Sequence, residues 1–361
     1  MSERPSILQI ISQSRYSGAE RVCLDLCEEL QRRGHRVLLL CKPAGDLPAE
    51  AALRGIATRT PPIFGKLNLL APWLIAAIAR GWGADLIHSH LSTASLWGSL
   101  GARLARIPGV GHVHAINTFL YYRLNDLNLT CSDGVRRAVL AQNGDPARVR
   151  VVYNGIPLAR LQGLPAAAQT RAALGLEADD FVLVCVAHLT PRKGQIHLLR
   201  AIALLREAIP GLRCLLVGEG TSKATAELRR EAARLGITDR VRFLGFRHDA
   251  VAVTDCSDVS VLPSVSKEGL GLGLIEAALL GKPAIGSAAP GIDEVIDDGI
   301  SGLLVPHANP QALAAAIDRL WRDPEMRLRF GEAGRARAQR TFSLAAMADA
   351  CEAAYSDLLQ H

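Results

Sequence analysis

Aromatic residues make up only 4% of this 361-residue chain, too few for the rows of rings on which single-stranded bases stack. Nucleic acid is therefore not an expected partner. Long apolar runs are also missing. The nearest candidate, Leu67 to Ala79, contains Asn68 and Pro72 and falls short of the ~18 apolar residues a membrane span needs. The start of the chain shows no basic region followed by an apolar stretch and a small-residue cleavage site, which points to the cytoplasm. Neither common phosphate motif is present. Gly281-Lys282 runs into Pro283 instead of Ser or Thr, and Gly269-Leu270-Gly271-Leu272-Gly273 has the wrong spacing for a dinucleotide fingerprint. A P-loop NTPase and a dinucleotide dehydrogenase both lose support.

The eight cysteines form no C-x-x-C and no Cys/His cluster of zinc spacing. Most lie in apolar runs such as Val184-Cys185-Val186, as buried thiols in a reducing compartment would. His88-x-His90 and His112-x-His114 would each share a strand face, but no carboxylate or cysteine set accompanies them. The sequence thus predicts no metal and no cofactor.

What is present is a globular composition, 49% hydrophobic and 21% charged, in a chain long enough for two domains of roughly 150–200 residues. The net charge of +6 is uneven. Residues 1–160 hold 19 Lys and Arg against 11 Asp and Glu, and the remainder holds 22 against 24. A basic first half suits anionic lipid or a phosphorylated substrate, and equally a merely solvated surface.

Short apolar runs alternate with helical patterns from end to end. Strands are expected at Ile7–Ile11, Val37–Leu40, Asp85–His88, Val110–His114 and Val149–Tyr153, with a helix from about Ala19 to Arg33 stopped by Gly34. Residues 158–179 read as a linker with one short helix. The rhythm then restarts at Phe181–Val186, Cys214–Val217, Val241–Phe243, Val259–Val261, Pro283–Ile285 and Leu303–Val305. Alternation in two blocks implies an α/β protein of two doubly wound, Rossmann-like parallel sheets. Facing one another, such sheets leave a cleft at the carboxyl ends of their strands, where ligands bind.

The segment Pro263 to Ala277 is the most informative. A strand ends near Leu262, a glycine-rich turn follows, and a helix is expected from about Gly271. Amides of Gly269, Leu270, Gly271 and Leu272 at that helix start would be free donors for an anion. Glu268 and Glu276 bracket the turn, and a carboxylate beside a phosphate calls for hydroxyl donors. Sugar hydroxyls supply them, so the pattern suits a nucleotide-sugar; a glycine-rich turn with two solvated glutamates stays open.

Glu268 to Glu276 matches the E-x7-E motif of family 4 glycosyltransferases, and the resemblance extends over nearly the whole chain. Ser17-Gly18-Ala19-Glu20-Arg21 resembles the family's G-G-A-E-R, and Val152-Tyr153-Asn154-Gly155-Ile156 its Y-N-G-I-D. Ala187 to Gly194 is similar to G-R-L-x-x-x-K-G. Leu216–Gly220, Val241–Gly245, Gly281–Ile285, Pro290–Ile296 and Gly302–Pro306 follow in register. The resemblance implies the GT-B fold, with an acceptor domain over 1–163, a donor domain over 164–341, and a helix over 342–361 that crosses back to the first domain. It implies a retaining transfer from a nucleotide-sugar, UDP-linked by preference and GDP-linked otherwise, to a glycan or lipid-linked hydroxyl. Cell-surface polysaccharide, lipopolysaccharide or glycolipid biosynthesis is the expected setting.

On that resemblance Lys193 sits against the donor diphosphate, Glu276 holds ribose hydroxyls, and Glu268 contacts the transferred sugar. Gly18 closes over the phosphates, His114 lies near the donor sugar, and Phe246 lies by the nucleobase, with Gly218 at a neighbouring strand end. Lys66, Arg80, Arg103, Arg106, Arg136 and Arg137 are candidates for contact with an anionic membrane surface, which would make the protein peripheral. Three departures stand out. His188 replaces an arginine, with Arg192 the candidate substitute; Ser17 and Pro290 each replace a glycine. A sugar-nucleotide epimerase of the same fold and a weakened binding or scaffold protein remain as alternatives.

Overall fold

Six consecutive buried side chains, Ser6–Ile11, form the first strand, β1, apolar on both faces as a strand covered by helices on both sides must be. The computed structural model describes residues 4–12, 18–63, 65 and 68–360; the expectations at Ser17 and Lys66 lie outside them. Helix α1 (Gly18–Arg32) buries Val22, Cys23, Leu26, Cys27 and Leu30 on one stripe, and Gly34 ends the turn behind it at φ +92°. There follow β2 (Arg36–Leu40), α2 (Leu47–Leu53), β3 (Thr58–Arg59), α3 (Ala71–Trp82), β4 (Leu86–His90), α4 (Ser92–Ala105), β5 (Gly109–Val113), β6 (Leu127–Thr130), α5 (Asp133–Leu140) and β7 (Val149–Val151). Among the described residues these strands form one all-parallel sheet in the order β3-β2-β1-β4-β5-β6-β7.

A second compact unit runs from Leu158 to Arg340. It contains α6 (Ala167–Ala173), β8 (Phe181–Val186), α7 (Gln195–Leu205), β9 (Leu212–Val217), α8 (Ser222–Arg234), β10 (Val241–Gly245), α9 (Ala250–Asp255), β11 (Val259–Leu262), α10 (Leu272–Leu279), β12 (Ala284–Ser287), β13 (Gly302–Val305), α11 (Pro310–Arg322) and α12 (Pro324–Thr341). Its parallel sheet runs β10-β9-β8-β11-β12-β13, the order of a dinucleotide-binding sheet, with the direction reversing between β8 and β11. The last helix, α13 (Leu344–Leu359), belongs to the first unit, where its flank at Ser343 bridges Ile156.

Two expectations change. Residues 158–179 are not a linker: Leu174 and Leu176 pack with Val182, Val184 and Val253 in the second unit's core, and the break falls between Pro157 and Leu158 instead of after Gly163. The short strands β3 and β6 carry too little apolar pattern to be expected from sequence; in β6, polar Asn128 is buried and bonded by Asn125. All eight cysteines are free thiols in buried positions. Among the described residues no helix is long and apolar enough to cross a membrane.

Candidate functional site

In the second unit the sheet reverses between β8 and β11, and the loops leaving those two strands carry the candidate residues. Behind β8 the chain makes a short 3-10 turn, Pro191–Lys193, and enters α7 through Gly194. Gly194 stands at φ +69°, and a Cβ there would lie 1.9 Å from the Pro263 carbonyl oxygen, so only glycine lets the loop after β8 press against the loop after β11. That contact brings Lys193 to Glu268. The ammonium donates to Oε2 of Glu268 at 2.9 Å, a guanidinium nitrogen of Arg192 stands 3.3 Å from the same oxygen, and the Ser264 hydroxyl donates to Oε1 at 2.6 Å. The Glu268 side chain is 4% exposed, Lys193 15% and Arg192 52%. A buried carboxylate is thus held in one orientation, with two cations on the side open to water.

The turn between Glu268 and α10 differs in part from expectation. The Gly271 amide donates to the Gly291 carbonyl at 3.3 Å and the Leu272 amide to that of Leu270 at 2.9 Å. The first donor is satisfied because the loop after β12 folds down onto the turn, and the second by the turn itself. Gly291, at φ +84°, permits this approach: a Cβ there would come within 2.6 Å of the Glu268 carbonyl oxygen. The amides of Gly269 and Leu270 have no carbonyl partner among the described residues. The helix begins at Leu272, one residue later than expected, and carries Glu276 buried on its inner face. Arg160, ahead of α6, reaches to 3.9 Å from a Glu276 carboxylate oxygen.

The other candidates of this unit sit at neighbouring strand ends. Gly218 follows β9 at φ +134°, packed on the Ala187 carbonyl, and its amide donates to Gly245 at 2.8 Å. Phe246 is half exposed past β10, its ring edge-on to His248. His188 is exposed, its carbonyl accepting from the Gln195 side chain. Of the replacements considered, Arg192 rather than His188 brings a positive group to Glu268.

In the first unit His114 lies one residue past β5, and Gly18 opens α1 after β1. The Nε2 of His114 is 2.8 Å from Nδ1 of His90. Burial pushes the His114 ring down to about 4 against the opposing effect of the Asn154 amide, so it is neutral at neutral pH. Arg80, Arg103 and Arg106 are exposed on or beside α3 and α4. Arg136 and Arg137 instead flank Asp133 on α5, at 3.6 and 3.1 Å. Sequence reasoning gave no role to Ser264 or Arg160. Their parts depend on contacts across the fold, and only the closeness of Ser264 to Glu268 in sequence hinted at one.

Comparison with known proteins finds similarity over both units. Residues 16–160 match the model described as Glycosyltransferase Family 4, and residues 167–337 that described as Glycosyl transferases group 1. The lipopolysaccharide core biosynthesis glycosyltransferase LpsD of Rhizobium meliloti is 30% identical over 92% of this chain and 93% of its own. The putative glycosyltransferase EpsD of Bacillus subtilis is 30% identical over 77% of this chain and 78% of its own. Among solved structures, Anabaena HepE in complex with UDP-glucose superposes with a TM-score of 0.88 at 25% identity, covering 98% of this chain and all of that one.

Proposed function

The chain belongs to the family 4 glycosyltransferases, and from that premise we propose that it is a retaining enzyme that moves a sugar from a nucleotide-sugar to a hydroxyl of a glycan or lipid-linked acceptor. The observation that carries this reading is the buried Glu268 carboxylate, fixed by Lys193, Arg192 and Ser264 beside the start of α10. A donor diphosphate arriving there meets Lys193, Arg192 and the amides of Gly269 and Leu270. The carboxylates of Glu268 and Glu276 accept from hydroxyls of the transferred sugar and the ribose. Gly218 holds the neighbouring strand end against Ala187, and Phe246 lies toward the base.

In the proposed reaction the bond from the anomeric carbon to the leaving phosphate breaks as the acceptor oxygen bonds to the same carbon from the same face. The acceptor proton passes to the departing phosphate, so no protein nucleophile is required. Lys193 stabilises the charge gathering on that phosphate, a contact worth about 2.7–4 kcal/mol in a dry site. HepE, solved with UDP-glucose, supports UDP as the preferred carrier, with GDP the second choice. LpsD supports a lipid-linked glycan as acceptor.

The exposed Leu69, Leu70 and Trp73 at the start of α3, with Arg80, Arg103 and Arg106 on the same helix pair, suit a peripheral contact with an anionic bilayer, about 1 kcal/mol per basic residue. A donor panel scored by nucleotide release, with a membrane-lipid extract as acceptor, tests the reading. Release that requires acceptor supports transfer. Sugar interconversion without acceptor would point to an epimerase, and donor binding without release to a scaffold.

A further inference from the structure

Four histidines meet on one face of the first sheet. His90 on β4 is in register with His112 on β5, His88 lies two residues before the first, and His114 two residues after the second. Their rings stack at centroid separations from 4.2 to 5.3 Å. His88, His90 and His112 are 0% exposed, and burial, reinforced by mutual repulsion, keeps all three neutral.

Neutral imidazoles in a dry cluster hold lone pairs that need partners, and several have none. Neither nitrogen of His112 is hydrogen-bonded, nor is Nε2 of His88. The outer sides of the cluster are, by contrast, well supplied. The Tyr355 hydroxyl of α13 stands 2.7 Å from Nδ1 of His88. The Gln9 side-chain oxygen lies 2.9 Å from Nε2 of His90; as that oxygen can only accept, it fixes the proton on Nε2 and leaves the Nδ1 lone pair pointing inward. Outer partners that fix the orientation of the rings are what a histidine metal site requires.

We propose that His88, His90 and His112 bind a single zinc-type divalent ion within the first unit. One nitrogen from each of the first three lies within 4.8 Å of the others. Zinc–nitrogen bonds of about 2.0–2.1 Å in a tetrahedron bring such atoms to roughly 3.3 Å, a closure in which the rings turn out of their stack. The Nε2–H of His114 donates to Nδ1 of His90 at 2.8 Å, a bond that gives way where the ion takes that lone pair. An all-imidazole donor set favours zinc, copper or nickel over magnesium or calcium. Two ligands lie on β4 and one on β5, so the ion ties these strands together, with a fourth position left for water.

The test uses the full chain, carrying a tag without histidine, stripped with a chelator and equilibrated with zinc sulfate. Metal analysis after desalting is expected to find one zinc per chain, and cobalt to give the visible band of a tetrahedral nitrogen site. His112→Gln should abolish both. Tyr355→Phe, which removes only an outer partner, should weaken zinc binding by about 10–100-fold. A wild-type chain that holds no zinc, or His112→Gln that retains it, overturns the proposal. Should His112→Gln fail to fold, Tyr355→Phe decides, and unchanged zinc affinity there overturns it as well.

Discussion

Lys193 reaches Glu268 across two loops that are far apart in sequence, and the pair makes a single unit of charge with Arg192 and Ser264. Removing the ammonium leaves Glu268 with the guanidinium and the hydroxyl, so the carboxylate keeps its orientation while the phosphate side loses its less exposed cation. Lys193→Ala is therefore expected to fold normally and to lose about 10²–10³-fold in kcat, read as nucleotide release at saturating donor. Glu276→Ala should act differently. In the proposed reaction its carboxylate accepts from hydroxyls that do not change charge, so the loss should appear mainly in KM for donor. Both residues were legible in the sequence because each belongs to a short segment at a strand end. The state of the turn amides was not. The donors of Gly271 and Leu272 are satisfied by Gly291 and Leu270, and the Gly291 contact comes from a loop about twenty positions on. The histidine cluster was hidden for a similar reason: the absence of carboxylates was visible, whereas the burial of the rings and the partners Gln9 and Tyr355 arise only when β1, β4 and α13 come together.

At the level of elements, the strands with continuous apolar runs could be read directly: β8 lies at the expected Phe181–Val186, and α13 (Leu344–Leu359) falls within the expected 342–361. Those missed, β3 and β6, draw their stability from neighbours and not from their own composition. Residues 158–179 looked like a linker because they are rich in small and turn residues, yet Arg171 bonds the carbonyls of Cys256 and Asp180, and Leu174 and Leu176 enter the core. The entry to α13 is set by close approach of backbone. Ser343 caps the helix by accepting from the Ala346 amide, and Ile156 exchanges backbone bonds with Phe342 and Leu344. A Cβ on Gly155 would come within 2.6 Å of the Leu344 Cα. Gly155→Ala should therefore lower stability to urea by about 1–3 kcal/mol, the usual cost of forcing atoms into a packed site. Ser343→Ala should cost about 0.5–2 kcal/mol through loss of the cap alone. A Gly155→Ala chain as stable as the native one would show that the seam yields freely.

On the scale of the whole molecule, the chain leaves the first unit at Pro157, builds the second, and returns at Thr341 so that its last helix lies on α1. The return is fastened by a small charged cluster. Arg33 reaches Asp349 and Glu352 at 2.5 Å each, and Nε2 of His35 stands 2.7 Å from the other oxygen of Glu352. Partial burial alone would raise the Glu352 carboxyl, but bonds from His35 and Arg33 outweigh it and hold the group below its ordinary value of 4.5. A carboxyl depressed in the folded state binds its proton more readily once unfolded. Its contribution is therefore complete above the ordinary value and is lost as pH falls through the folded one. The urea midpoint of the first unit should thus decline as pH falls below the ordinary value of 4.5, as this carboxylate is protonated and the fastening of α13 slackens. Glu352→Gln keeps the shape and removes the charge. It should lower stability at neutral pH and flatten the decline, since no proton is then taken up at that position. An acid limb equally steep in Glu352→Gln and in the native chain would place the acid sensitivity elsewhere and leave the return of the last helix to apolar packing, through Met347, Ala348, Cys351 and Tyr355.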